Sequence, residues 1–258
     1  MGATMLARVL RRLVAWSDSS DAGRRLRAGL LANPLAARAI DALDQRRINR
    51  LAKQGDPVER SKRRWRAAEP DRGLSWGEEH SGHGAARVAE AHGVFGPGRR
   101  VLEVGPGYGR ILGACLESGY EFERYTGLDL SERNVAHLRA NFADSRIEFV
   151  VGDVENAELA EPVDSVISFL TFKHLYPSFE LALANLGAQL RPGGIVLFDL
   201  LEGSRAYFHY DASSFIRHYT RDQAGRIVER AGLALAGFDT VEHAPGRERL
   251  VVIARAPG

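Results

Sequence analysis

Short apolar runs recur from residue 101 onward, each bounded by glycine or acidic residues and separated by helical patterns. The runs over 101–104, 125–130, 147–154 and 163–170 have the length and β-branched content of buried strands. Helices are expected over 111–118 and about 179–190, the second followed by an Arg191-Pro192-Gly193-Gly194 turn and a strand over 195–200. A last helix ends at Gly232, and two β-like runs, 233–241 and 250–254, are joined through Pro245-Gly246. Strands alternating with helices predict an α/β protein with a doubly wound, parallel sheet. Ahead of this region Met5, Leu6, Val9, Leu10, Leu13 and Val14 share one face of a helical pattern, with Arg8, Arg11 and Arg12 on the other. A second helix-like run covers 35–51, and Lys62-Arg63-Arg64-Trp65-Arg66 is a basic cluster.

Charge divides the chain in the same place. The net charge of +2 over 258 residues conceals seventeen Arg or Lys against eight Asp or Glu in residues 1–72. That segment is therefore at +9 and the remainder at −7. The expected organisation is a helical, basic extension over 1–72 and one main domain over 73–258. The extension has three readings: a cover or homodimer contact on the main domain, a peripheral membrane contact through its basic amphipathic face, or a nucleic-acid contact. Nucleic acid is the least favoured, because no aromatic platform accompanies the arginines. A single cysteine, Cys115, excludes an internal disulfide framework and reads as core filler. No run of about eighteen apolar residues and no signal-peptide pattern is present, so a cytoplasmic protein is expected.

Chemistry concentrates after the first strand. Gly105 and Gly107 let the backbone approach a ligand, and the amides opening the next helix suit an anionic group. Pro106 is tolerated because a turn needs no amide there. Gly109 falls one residue too early for the dinucleotide fingerprint G-x-G-x-x-G, and Glu103 stands two residues ahead of the loop. A carboxylate facing that loop would repel a pyrophosphate and attract an ammonium group. Asp129 ends the second run about twenty residues on, where such folds place a ribose-binding acid able to accept from both hydroxyls, with Leu130 against the base. Asp153 ends the third run in the same way.

This spacing resembles motif I of the class I S-adenosylmethionine (SAM)-dependent methyltransferases, and the resemblance extends over roughly 73–256. It implies SAM as cofactor, with Asp153 holding the adenine amino group and Val154 beside the ring. It also implies that Ser168 and Phe169, closing the fourth strand, lie by the reactive methyl group. The Arg191-Pro192-Gly193-Gly194 turn is similar to the family's L-[RK]-P-G-G signature. The last two runs resemble its terminal hairpin, which implies a seven-stranded, mostly parallel sheet of order 3-2-1-4-5-7-6 with the last strand antiparallel. The segment around Trp76, His80 and Ser81 occupies the place where relatives close over the methionine end. His80 and His83 lack a third ligand, so no metal is expected.

The acceptor is less legible. His174 falls where many relatives have a histidine and has the right ordinary pKa for a base, or else shapes the pocket and caps the next helix. Lys173 either holds an acidic substrate or faces water. A polar cluster, Tyr207, His209, Tyr210 and Asp211 followed by Arg217, His218 and Tyr219, lies where such proteins build substrate contacts. His209 with Asp211 suits an oriented base, and Arg217 suits a carboxylate or phosphate grip, or else braces the following helix with Tyr219. No Asp/Asn-Pro-Pro-Tyr/Phe motif and no Pro-Cys nucleophile follows the fourth strand, which leaves oxygen or nitrogen of a small molecule as the expected acceptor. The competing readings are another SAM-fold transferase, such as an aminopropyltransferase, and a catalytically silent SAM-binding scaffold.

Overall fold

Apolar side chains on both faces let β1 (Arg100–Val104) run buried through the middle of a sheet, as a central parallel strand must. Its neighbours are β2 (Arg124–Asp129) on one side and β4 (Val163–Ser168) on the other, both parallel, and β3 (Ile147–Val151) lies outside β2. β5 (Leu190–Glu202) pairs parallel with β4. β9 (Arg247–Arg255) returns antiparallel to β5, and β8 (Ala234–Ala244) closes the edge as its hairpin partner. The main sheet thus has seven strands in the order expected, counting β8 and β9 as its sixth and seventh, with β9 antiparallel. The computed structural model describes residues 46, 50, 56–68, 82–208, 214–244 and 247–258. The helical pattern over 5–14, most of that over 35–51, Trp76, His80, Ser81, His209, Tyr210, Asp211 and the 245–246 junction lie outside the described residues.

Helices cover both faces. On one, α2 (His83–Ala91), α3 (Arg110–Glu117) and α4 (Glu132–Asn141) bury Ala86, Ala89, Ile111, Leu112 and Leu138 together with Cys115. Burial pushes the Cys115 thiol up to about 12, which fits core filler. On the other, α5 (Glu180–Gly187) and α6 (Arg221–Arg230) bury Leu183, Leu186, Ile227 and Val228 against Phe172, Phe179 and Phe198. α6 opens with a reciprocal capping box between Thr220 and Gln223. One further helix, α1 (Pro57–Arg66), precedes α2 and packs over the carboxyl ends of the strands.

Two elements differ from the sequence reading. The turn at 191–194 does not separate helix from strand, because it is absorbed into β5 as an irregularity: the β4 partner changes from Leu190 for Val163 to Ile195 for Ser165. Asp164 pins it, accepting from the Arg100 amide at 2.9 Å and from Arg191 Nη1 at 3.2 Å. The region after β5 also carries more structure than a polar insertion. β6 (Ala206–Phe208) and β7 (Phe215–Tyr219) form a hairpin that joins the end of β5 through Leu201–His218 and Glu202–Tyr219 pairing.

A buried ion pair ties β5 to β9. Arg249 Nε donates to Asp199, both almost fully buried, and the other Asp199 oxygen accepts the Leu170 amide at 2.6 Å. Leu170 sits at φ +65°, a left-handed conformation costing a non-glycine residue about 1–2 kcal/mol. Removing one member of such a pair leaves the other charge stranded. We expect Arg249→Leu to lower unfolding free energy by about 3–5 kcal/mol in urea titration, and the Asp199→Asn/Arg249→Leu double variant to recover more than half of that.

Candidate functional site

The three loop glycines have three different reasons. Gly105, at φ +72°, would drive a Cβ to 2.3 Å from Thr171 Oγ1. Gly109, at φ +90°, precedes α3 and would drive one to 2.3 Å from the Phe142 ring, so it serves packing of α3 on α4. Gly107, at φ +60°, has nothing within 4 Å of that position: its missing side chain leaves open room above the loop. That room belongs to a cavity of about 1090 Å³ bounded by the loop, the ends of β2, β3 and β4, and α1.

Asp129 closes β2 at the cavity wall. One carboxylate oxygen accepts the Ser131 amide at 2.8 Å and Asn134 Nδ2 at 3.3 Å, and the other accepts the Gly107 amide at 3.1 Å. Burial raises its pKa, opposed by these same bonds. Three of about four lone-pair sites are occupied, leaving room for one further donor on Oδ2, not for both hydroxyls of a ribose. Asp153, at the end of β3, accepts the Glu155 amide at 3.1 Å and pairs with Lys62 of α1 at 2.6 Å. Leu130, Pro106, Val154 and Phe169 line the same cavity.

α1 belongs to the basic extension and lies over the site as a cover, one of the three readings of that segment. Asp56 caps it by accepting the Val58 amide, Pro57 opens its first turn, and Arg63, Arg64 and Arg66 suit its last turn. Three anchors hold it. Lys62 pairs with Asp153 and Glu155; burial alone would lower its pKa, and these bonds outweigh that and raise it. Ser61 Oγ donates to the His174 carbonyl at 2.8 Å, and the Trp65 ring lies 4.4 Å from the His174 ring. Beyond the helix, Ser131 Oγ donates to the Ala68 carbonyl at 2.8 Å. The available sequence signal was the Asp56-Pro57 helix start with Ser61 and Trp65 four residues apart on one face.

His174 lies in a short 3₁₀ turn, Phe172–His174, after β4. Its Nδ1 is 2.7 Å from the Phe215 carbonyl, which only accepts, so Nδ1 carries the proton and Nε2 is the basic nitrogen of the neutral ring. Other expected residues sit elsewhere. Glu103 does not line the cavity: strand alternation turns it to the opposite face from Val104, where it is buried and accepts from the Tyr125 hydroxyl. Burial pushes its pKa up to about 7, against the Tyr125 bond and Arg110. Ser168 is fully buried, its hydroxyl donating to the Val104 carbonyl at 2.8 Å. Lys173 is also buried rather than water-facing; burial, then Arg249, bring its pKa down to about 7, with Asp199 opposing. Arg217 stacks over Tyr219 at 4.8 Å and donates to the Pro177 carbonyl, while Tyr219 is fully buried against Phe179, so both brace the fold rather than line the cavity. Tyr108, whose hydroxyl is buried without a partner, and Thr171 line the cavity and were not anticipated.

A glycine loop after the first strand, an acid closing the second and this sheet order are the arrangement found in the Rossmann-like SAM-dependent methyltransferases. The methyltransferase-domain family profile matches this chain over residues 102–198. A fatty-acid O-methyltransferase of Mycolicibacterium smegmatis is 35% identical over 101 residues, 39% of this chain and 36% of that protein. A phthiotriol/phenolphthiotriol dimycocerosates methyltransferase of Mycobacterium ulcerans is 34% identical over 115 residues, 45% of this chain and 42% of that one. The chain thus matches about two fifths of the length of these curated relatives. Among solved structures, the Burkholderia thailandensis 1,6-didemethyltoxoflavin-N1-methyltransferase, bound to its substrate and S-adenosylhomocysteine (SAH), superposes with a TM-score of 0.61 at 26% identity. That alignment covers 73% of this chain and 83% of that one. The glycopeptide N-methyltransferase MtfA shares the fold, with a TM-score of 0.56 at 21% identity over 69% and 88% of the two chains.

The glycines separate ligand from fold. Gly107→Ala costs stability only through its positive φ, about 1–2 kcal/mol, and places a methyl group in the cavity; Gly109→Ala adds a clash with Phe142. Thermal melts should therefore fall further for Gly109→Ala, while ligand titration should fall further for Gly107→Ala.

Glu103 makes stability depend on pH. Between 4.5 and about 7 the folded protein keeps a proton there that the unfolded chain has released, so stability falls as pH rises through that window. Glu103→Gln should gain on wild type across it by about 3 kcal/mol, read from urea unfolding at several pH values, and a constant difference would refute the assignment.

Proposed function

We infer that this protein transfers a methyl group from SAM to an oxygen or nitrogen of a small, lipid-like molecule. The observation that carries the reading is the continuity of one cavity from Asp129 and Gly107, through Phe169 and Leu170, to His174. Its residues suit such a cofactor: the space over Gly107, the remaining acceptor on Asp129 for one ribose hydroxyl, and Leu130 and Val154 for a flat base. When bound, SAM supplies a methyl group already activated on a sulfonium.

What remains for the protein is position and a proton. Asp129 and the loop fix one end, α1 keeps water from the other, and His174 Nε2 accepts the proton of a hydroxyl or amine acceptor. The cavity exceeds the roughly 1000 Å³ upper range for one drug-sized ligand, consistent with cofactor and acceptor together. The names of the two curated relatives, one acting on fatty acids and the other on phthiotriol lipids, support an apolar acceptor. Aminopropyl transfer is disfavoured because the end of β4 offers Phe169, Leu170, Thr171 and His174, and no acid, to the cavity.

Calorimetric titration with SAM and SAH tests the reading. Wild type should bind both, and absence of binding at about 1 mM ligand would remove it. His174→Ala should leave SAH affinity unchanged and lower kcat on a hydroxyl acceptor by about 10²- to 10⁴-fold. Tight SAH binding with no SAH formation over an acceptor library would mark a silent scaffold instead.

A further inference from the structure

α1 closes the cavity with polar groups that are not equally satisfied. Val58, Ser61, Lys62 and Trp65 of that helix line it. The Ser61 hydroxyl donates to the His174 carbonyl, and the Lys62 ammonium pairs with Asp153 and Glu155. The Trp65 indole Nε1, by contrast, is buried with no hydrogen-bond partner. Its ring is seated 4.4 Å from the His174 ring, and turning the N–H out to water would give up that contact. A buried donor left unmade is unfavourable, and a ligand atom that accepts from it removes the penalty. An indole N–H only donates, so the missing partner is an acceptor atom.

Position along the cavity decides which ligand brings that atom. Tyr108, whose hydroxyl is also buried without a partner, stands in the glycine loop at the cofactor end. Trp65 stands against His174, the candidate base, at the acceptor end. A hydrogen bond spans about 3 Å, so an oxygen held by Nε1 lies within a few bonds of the reacting atom. The lining narrows the type of oxygen, because Val58, Phe169 and Leu175 offer it no polar side-chain atom. A hydroxyl would bring a donor of its own that needs a partner, whereas a carbonyl oxygen only accepts.

We propose that the methyl acceptor is an acyl compound whose carbonyl oxygen accepts from Trp65 Nε1, its apolar body lying against Val58, Phe169 and Leu175. That carbonyl either neighbours a reacting hydroxyl or is the second oxygen of a reacting carboxyl group. This rests on the methyl-transfer reading of the same cavity and names the class of molecule it takes. An acceptor of the same shape without the carbonyl leaves the indole N–H unmatched.

The test is equilibrium titration of the SAH-loaded protein with decanoate, 1-hydroxydecan-2-one and 2-methylidenedecan-1-ol, the last carrying a methylidene carbon in place of the carbonyl oxygen. At least one of the two acyl probes should bind about tenfold or more tightly than the methylidene alcohol. Which acyl probe leads distinguishes a carboxyl group from a carbonyl beside a hydroxyl. Trp65→Phe keeps an aromatic ring and removes the N–H, and should bring the leading acyl probe within about twofold of the methylidene alcohol while SAH affinity, read separately, stays unchanged. Benzothienylalanine in place of Trp65 keeps the indole outline with sulfur for N–H and should give the same result, which separates the lost bond from lost volume. A methylidene alcohol that binds as tightly as both acyl probes, or an acyl preference that survives benzothienylalanine, overturns the proposal. SAH binding without an acyl preference removes the acceptor class alone, whereas failure to bind SAH removes the methyl-transfer reading and this inference with it.

Discussion

The carboxylate of Asp129 is the constraint on which the site depends. It joins three pieces of chain: the end of β2, the glycine loop through the Gly107 amide, and the start of α4 through Ser131 and Asn134. Burial of a charge is unfavourable, and the hydrogen bonds that offset it are what set the loop's height above the sheet. Gly107 must then follow a left-handed path to present its amide, which is why a side chain is absent where the cavity needs space.

A second set of buried charges lies under the other end of the cavity. Asp199 holds Leu170 in its left-handed turn and is itself held by Arg249 from the antiparallel strand. Leu170 directs the chain out of β4 into the 3₁₀ turn that carries His174, so the antiparallel last strand, remote in sequence, helps place the candidate base. The Phe215 carbonyl on β7 then selects the tautomer of His174. The β6–β7 hairpin therefore contributes through a backbone atom rather than through the polar side chains that drew notice in the sequence.

Strand order, the glycine loop and the strand-end acids were legible because each is local: a period-two apolar run, a turn that only glycine satisfies, and an acid at a fixed interval. Glu103 was misjudged although the same periodicity contained the answer. Val104 lines the cavity, and neighbouring strand residues point to opposite faces, so Glu103 had to turn towards Tyr125. Tyr219 and Arg217 looked like substrate contacts because polar residues in a loop suggest function. The burial of Tyr219 and its stacking with Arg217 depend on Phe179 and Pro177, about forty residues away, which no local pattern announces.

The division at residue 72 followed composition, and over residues 56–68 the contacts match the reading of the extension as a cover on the main domain. A ten-residue helix such as α1 is only marginally stable alone, so its order comes from Asp153, Glu155, Ser131 and His174, all in the main domain. One of the basic residues that set this stretch apart, Lys62, pairs with Asp153 and Glu155 just after β3. Charge asymmetry between two parts of a sequence is therefore as consistent with two walls of one site as with two domains. Here the Lys62 pair, the Trp65 contact and the Ser131 bond decide for the former over residues 56–68.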